Sequence, residues 1–176
     1  EAPPHLKTER GPERLAHVGH GVDAEAIDVR ARGPGHPGLR HEAHHFVAVV
    51  EVTENARYPY KPPIPLTILV NPELEPLTEE RFDNYEGCLS VPDLRGVVPR
   101  VTELRCRSWD RTGLPVERVV KGLEACTYQH ECDHLDGVLF TDRVVDRATF
   151  STWKDWERFH RAPFVERVKV LVGRYG

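Results

Sequence analysis

Aromatic residues begin at Phe46, and that fact divides the chain before any motif is read. Residues 1–45 contain no Phe, Trp or Tyr, yet hold seven of the ten histidines, with many Gly, Pro and Arg and no sustained period of 2 or 3.6. A stretch with so little apolar surface cannot offset the entropy of ordering it. Composition therefore predicts loop or disorder over residues 1–45 and a folded domain over 46–176, and a chain of 176 residues is long enough for one domain with a hydrophobic core. From Phe46 the pattern changes. Phe46-Val47-Ala48-Val49-Val50-Glu51-Val52 predicts a buried strand. A Pro-rich loop over 58–65 leads to a second strand over 66–70, stopped by Asn71-Pro72. Residues 101–120 predict a hairpin turning at 110–113. The best helix spans 123–135: Leu123, Cys126, Thr127, His130 and His134 share one face, and Gly137 is the stop signal. A C-terminal helix places Trp153, Trp156 and Phe159 on one side, is interrupted near Pro163, and resumes with Phe164, Val165, Val168, Leu171 and Val172. Strands followed by a central helix, without alternating βαβ units, predict an α+β fold: antiparallel strands packed around that helix, plus the C-terminal helix.

Bulk properties exclude several classes. A formal net charge of −4 gives no basic field for nucleic acid, and no apolar run approaches the ~20 residues that span a bilayer. Glu1-Ala2-Pro3-Pro4 lacks the basic and apolar regions of a secretory signal, and the absence of any methionine reads as a trimmed start or a fragment. Cys88, Cys106, Cys126 and Cys132 form no C-x-x-C pair, so they read as reduced thiols or metal ligands of a cytoplasmic protein.

The sharpest signal is Gln129-His130-Glu131-Cys132-Asp133-His134. Residues four apart on a helix converge, with roughly 5–6 Å between Cβ atoms, a good bite for two imidazoles on one metal. Glu131 is displaced around the helix, where it can reach a water rather than the ion, as a general base must. On its own the H-E-x-x-H spacing also arises by chance on a polar helix face. A catalytic site needs a third protein ligand and an open position. Cys106 alternates with Leu104 and reads as core, Cys126 sits one turn before His130 and reads as packing, and Cys132 points to the opposite side of the helix. Cys88 remains, in the Gly-containing turn of Glu86-Gly87-Cys88-Leu89-Ser90.

These two motifs, in this order and separation, resemble the second and third motifs of the peptide deformylases. The similarity continues through Val91-Pro92-Asp93-Leu94-Arg95-Gly96-Val97-Val98-Pro99-Arg100 and covers about Phe46 to Asp146. The resemblance implies removal of the N-terminal formyl group from formyl-methionyl nascent peptides. It implies one divalent metal on Cys88, His130 and His134, with Fe(II) first and zinc or nickel able to substitute; a thiolate and two imidazoles suit all three. Glu131 would take the proton of the attacking water and return it to the departing amine. Oxyanion donors would be the Leu89 N–H and a glutamine of the first motif. The peptide would add as a strand beside the site, with Gly87 and Arg95 lining its groove; Arg95 reads equally as a solvated or ion-paired surface residue. A monomer in a ribosome-associated context, without specific nucleic-acid or membrane binding, completes the expectation.

The first motif departs from the family. Its pattern, Gly-x-Gly-Leu-Ala-Ala-x-Gln, is matched best by Gly19-His20-Gly21-Val22-Asp23-Ala24-Glu25-Ala26, with Ala26 at the glutamine position. Either the homologue is diverged or the reading frame shifts within 1–45; one nucleotide on, Arg30-Ala31-Arg32-Gly33-Pro34 can encode Gly-Leu-Ala-Ala-Pro. Two other functions stay open: an inactive homologue serving as a binding module, and a different H-E-x-x-H metallopeptidase.

Overall fold

The computed structural model describes residues 46–53 and 59–175, and the backbone of one four-residue strand, β1 (Leu15–Val18). That strand lies where composition predicts loop, and pairs in parallel with β2 (Val47–Val52). The rest of 1–45, including the Gly19–Ala26 match, lies outside the described residues.

The β-branched run after Phe46 becomes β2, which pairs antiparallel with β3 (Ile64–Pro76). Asn71-Pro72 does not stop this strand, contrary to expectation. Asn71 adopts φ 48°, a left-handed conformation that Asn tolerates, and the register slips between Val70 and Glu73 as a bulge. Phe46 stitches the bulge down: its N–H donates to Asn71 Oδ1 at 2.9 Å, and its carbonyl accepts from the Asn71 N–H at 2.7 Å. Strands β6 (Glu103–Trp109) and β7 (Pro115–Lys121) form the expected hairpin, closed by the Asp110 carboxylate accepting from Thr112 and Leu114 N–H. The order in this five-stranded sheet is β1-β2-β3-β6-β7. A second sheet, β4-β5-β8, is built from β4 (Arg81–Cys88), β5 (Val91–Val101) and the short β8 (Ser151–Thr152).

Helix α1 (Gly122–Leu135) packs on β2, β5 and β7. Ala125, Tyr128 and Leu135 sit in one core with Ala48, Val50, Leu69, Val101, Leu104, Cys106 and Val120. Gln129 holds the helix to β5 by a paired contact, donating to Val101 O at 2.9 Å and accepting from Val101 N at 3.1 Å. At the other end, Gly137 takes φ 74°, its N–H reaching His134 O while Val138 N–H reaches Asp133 O. This glycine-dependent stop ends the helix where the sequence signals it.

After a short helix α2 (Phe140–Arg143), the chain returns to β8 and enters α3 (Trp153–Asp155), a π-helical turn (Trp156–His160) and α4 (Arg161–Tyr175). Helical structure passes through Pro163 rather than breaking there. Proline withholds the N–H that would return to the Phe159 carbonyl, and the widened π turn lies immediately before it, with Arg161 N–H bonding Trp156 O. The widening also turns Phe159 outward, 58% exposed, whereas Trp156 is fully buried. Trp156, Phe164, Val168 and Leu171 form a second core with Leu123, against which Tyr60, Phe82 and Tyr85 pack. Among the described residues no helix is long and apolar enough to cross a membrane.

Candidate metal centre

Two elements supply the site. α1 presents His130 and His134 one turn apart, their ring centroids 4.8 Å apart and their planes perpendicular. β4 delivers Cys88 as its last residue, ahead of the Leu89-Ser90 turn into β5 rather than within the turn itself. A bulge between Glu86 and Cys88 re-aims the strand end toward the helix. Gly87 permits it, because a Cβ there would stand 3.2 Å from Leu94 O. The ligand atoms of Cys88, His130 and His134 all lie within 4.8 Å of one another, with Cys88 Sγ 3.3 Å from His134 Nε2.

Electrostatics separate Cys88 from the other free cysteines. Burial pushes the thiols of Cys106 up to about 11 and of Cys126 and Cys132 up to about 12. Burial acts on Cys88 in the same direction, but contacts from His130, His134 and Ser90 outweigh it and bring the thiol down to about 5. His130 shows the converse: burial opposes its charge, while Cys88 and Glu86 hold its pKa well above the usual value, at about 10. A site that carries a thiolate and retains a displaceable proton is suited to take a cation in exchange for that proton. The donor set of one thiolate and two imidazoles fits iron, zinc or nickel.

Glu131 is 2% exposed, and among the described residues its Oε2 has no hydrogen-bond partner. Burial raises its pKa to about 7 against the pull of His130 and His134. Such a carboxyl both accepts and releases a proton near neutral pH.

The sequence reading gave no role to the network behind His130. Glu86 Oε2 lies 3.0 Å from His130 Nδ1, which leaves Nε2 as the ring nitrogen that could hold a metal. The same carboxylate accepts from Asn84 Nδ2 at 3.2 Å and from Arg100 Nε and Nη2 at 2.8 and 2.9 Å. Burial alone would raise the Glu86 pKa; Arg100 and His130 hold it at about 2. Arg100 Nη1 also binds Asp133 Oδ2 at 2.6 Å, and Arg143 closes the chain on Asp133 at 2.7 Å. Alternation along β4 places Asn84 with Glu86, and Asp133 follows His130 by three residues, a helical neighbour spacing. Those signals were available. Lys61 had none: it sits half-buried in the Pro-rich turn, where burial lowers its pKa within the field of Glu86 and Glu131.

Of the remaining expected residues, Leu89 follows Cys88 in the turn and is 61% exposed. Arg95 is neither solvated nor on the surface. It is 3% exposed beneath Trp153 and Trp156, with Nη2 donating to Tyr85 O at 2.9 Å.

The profile of the family described as polypeptide deformylase matches residues 42–149, more than half the chain. Peptide deformylase 2 of Ralstonia nicotianae is 48% identical over 104 residues, covering 59% of each chain. Peptide deformylase 1 of Prochlorococcus marinus is 44% identical over 139 residues, 77% of this chain and 64% of that one. The chain thus spans about three fifths of the length of these relatives. Among solved structures, the Met-Ala-Ser-bound class I type b peptide deformylase of Acinetobacter baumannii superposes with a TM-score of 0.53 at 41% identity, over 56% of this chain and 62% of that one. With the matched span enclosing Cys88, His130 and His134, this chain belongs to the polypeptide deformylase family.

Proposed function

We propose that the chain removes the formyl group from formyl-methionyl nascent peptides, with one divalent ion held by Cys88, His130 and His134. The observation that carries this reading is the convergence of those three ligand atoms within 4.8 Å beside a buried carboxyl, Glu131, poised near pH 7. When bound, a divalent ion supplies Lewis-acid charge that activates water and polarises a carbonyl. Glu131 takes the proton from the attacking water and hands it to the departing amine. Its buried setting keeps both protonation states accessible. Glu86 fixes the tautomer and ring plane of His130, and Arg100 keeps Glu86 ionised. The Leu89 N–H, one residue beyond the thiolate, is the oxyanion donor in this reading. In the best in-frame match to the family's first motif Ala26 stands at the glutamine position; on that alignment the chain lacks this second donor and turnover is expected to be lower by about 10²- to 10³-fold.

The related Acinetobacter structure holds Met-Ala-Ser, a peptide with the free N-terminal methionine that deformylation leaves. Gly87 belongs to the β4 end beside which such a peptide would lie. Fe(II) is the metal in this reading, with zinc or nickel as substitutes, and the protein acts as a cytoplasmic monomer on chains leaving the ribosome. The test is formate release from formyl-Met peptides by protein loaded anaerobically with Fe(II) or Ni(II), with unblocked peptides alongside. Cleavage of internal bonds in the unblocked peptides would make it a different metallopeptidase. Metal binding with neither reaction would leave a binding module.

A further inference from the structure

The C-terminal helical segment reaches the metal centre through one side chain. The Arg95 guanidinium carbon lies 4.8 Å from the Trp153 ring centroid and 4.2 Å from that of Trp156. Its Nη2 donates to Tyr85 O at 2.9 Å, and its Nη1 comes within 3.5 Å of where a Cβ on Gly87 would stand. The guanidinium therefore lies along the end of β4, against the bulge between Glu86 and Cys88. Backbone pairing and a side-chain contact fix the start of the tryptophan segment on β5. Leu94 and Arg95 pair with Thr152 and Ser151, and the Trp153 N–H donates to Asp93 Oδ1 at 3.3 Å.

We propose that Trp153 and Trp156 are positioning residues: they clamp Arg95 by cation–π stacking, so that it braces the β4 bulge that sets Cys88 Sγ against His130 and His134. A bulged strand end carries an unpaired residue and is locally weak. A planar guanidinium can stack on aromatic faces while still donating from its edge, and desolvation strengthens the stacking. Both tryptophans lie beyond residue 149, where the family match ends, so the C-terminal segment contributes to the site in this chain.

The proposal rests on the metal-centre reading, and its test does not need turnover. Co(II) is titrated into the full chain and followed by thiolate-to-cobalt absorption, which reports Cys88 coordination directly. Trp153→Leu keeps an apolar side chain, though a smaller one, and removes the π face; Trp153→Phe is also smaller than the parent but keeps a π face. Trp153→Leu and Arg95→Gln are each expected to lose about 10- to 100-fold in Co(II) affinity, with circular dichroism and Tm near the parent. Trp153→Phe should retain most of the affinity, and the Leu/Gln double variant should lose no more than either single change. Parent affinity in Trp153→Leu overturns the proposal. So does a Trp153→Phe loss equal to that of Leu, which would make the ring only a filler. If Trp153→Leu does not fold, Arg95→Lys replaces it: that change keeps the charge and loses the planar fork, and parent affinity there is equally fatal. Normal Co(II) binding by the unmodified chain without formate release would remove the deformylase reading and leave the clamp intact.

Discussion

Glu131→Gln separates the chemistry of the carboxyl from its cost to the fold. Glu131 is 2% exposed, and its pKa rises from the usual 4.5 to about 7, chiefly through burial. That difference corresponds to about 3 kcal/mol between the protonated and ionised states. A raised acid pKa means the fold binds this proton more tightly than the unfolded chain. The native state is therefore unpenalised below about 4.5 and loses stability as the pH rises through about 7. Glutamine cannot ionise. In chelator-treated protein, the stability of Glu131→Gln relative to the parent should then rise between pH 5 and pH 8, by up to about 3 kcal/mol. Urea unfolding at the two pH values measures it, and titrating groups that do not interact with Glu131 cancel in the difference. With metal restored, the same variant should bind one ion per chain and lose most of its formate release. A stability difference that does not change with pH would show that Glu131 ionises as freely in the fold as in water, and the argument for a buried base would fail. Parent-level turnover by the variant would exclude Glu131 as the base.

Three further outcomes follow from the geometry. Cys88→Ala should abolish stoichiometric metal, measured by elemental analysis, whereas Cys132→Ser, outside the ligand group, should leave it unchanged. Arg100→Gln removes the guanidinium shared by the buried Glu86 and Asp133 carboxylates, leaving Asp133 with Arg143 alone, and should cost about 3–5 kcal/mol in urea unfolding. Glu86 is held at about 2, so the parent keeps its contribution above about 4.5 and loses it as the pH falls toward 2; the variant should lack much of that acid-side dependence. Gly96→Ala would place a Cβ 2.9 Å from Val144 Cγ2 and 3.1 Å from the Phe150 ring, and should lower stability by about 1–3 kcal/mol through overpacking, read as a lower Tm.

The helix that carries His130 and His134 was legible because its information is local: the apolar spacing along it and a glycine at 137 need nothing from the rest of the chain. The hairpin turn was legible for the same reason, since Asp110 and Gly113 carry their own geometry. Asn71-Pro72 misled because a breaker dipeptide can also form a bulge when a distant residue, here Phe46, bonds to it. Pro163 misled because a proline can be absorbed by a wider turn upstream. Arg100 and Arg95 were least legible. Each looks like a surface arginine until tertiary structure surrounds it, the first with two carboxylates and the second with two indoles.

The π turn at Trp156–His160 also fixes the rotational phase of everything after it. In an uninterrupted α-helix, Trp156 and Phe164 would be separated by eight steps of roughly 100°, leaving them about 80° out of line. Absorbing one residue in the wide turn makes the separation behave as seven steps, within roughly 20° of whole turns. Both rings then face the same core, their centroids 6.2 Å apart. The segment therefore reads as a helix carrying a one-residue insertion. Removing one of the exposed residues Glu157, Arg158 or Phe159 would restore an ordinary α turn and keep Phe164 and Val168 inward. Adding a residue there would instead swing the whole of α4 by about 100° and face its charged side toward the core.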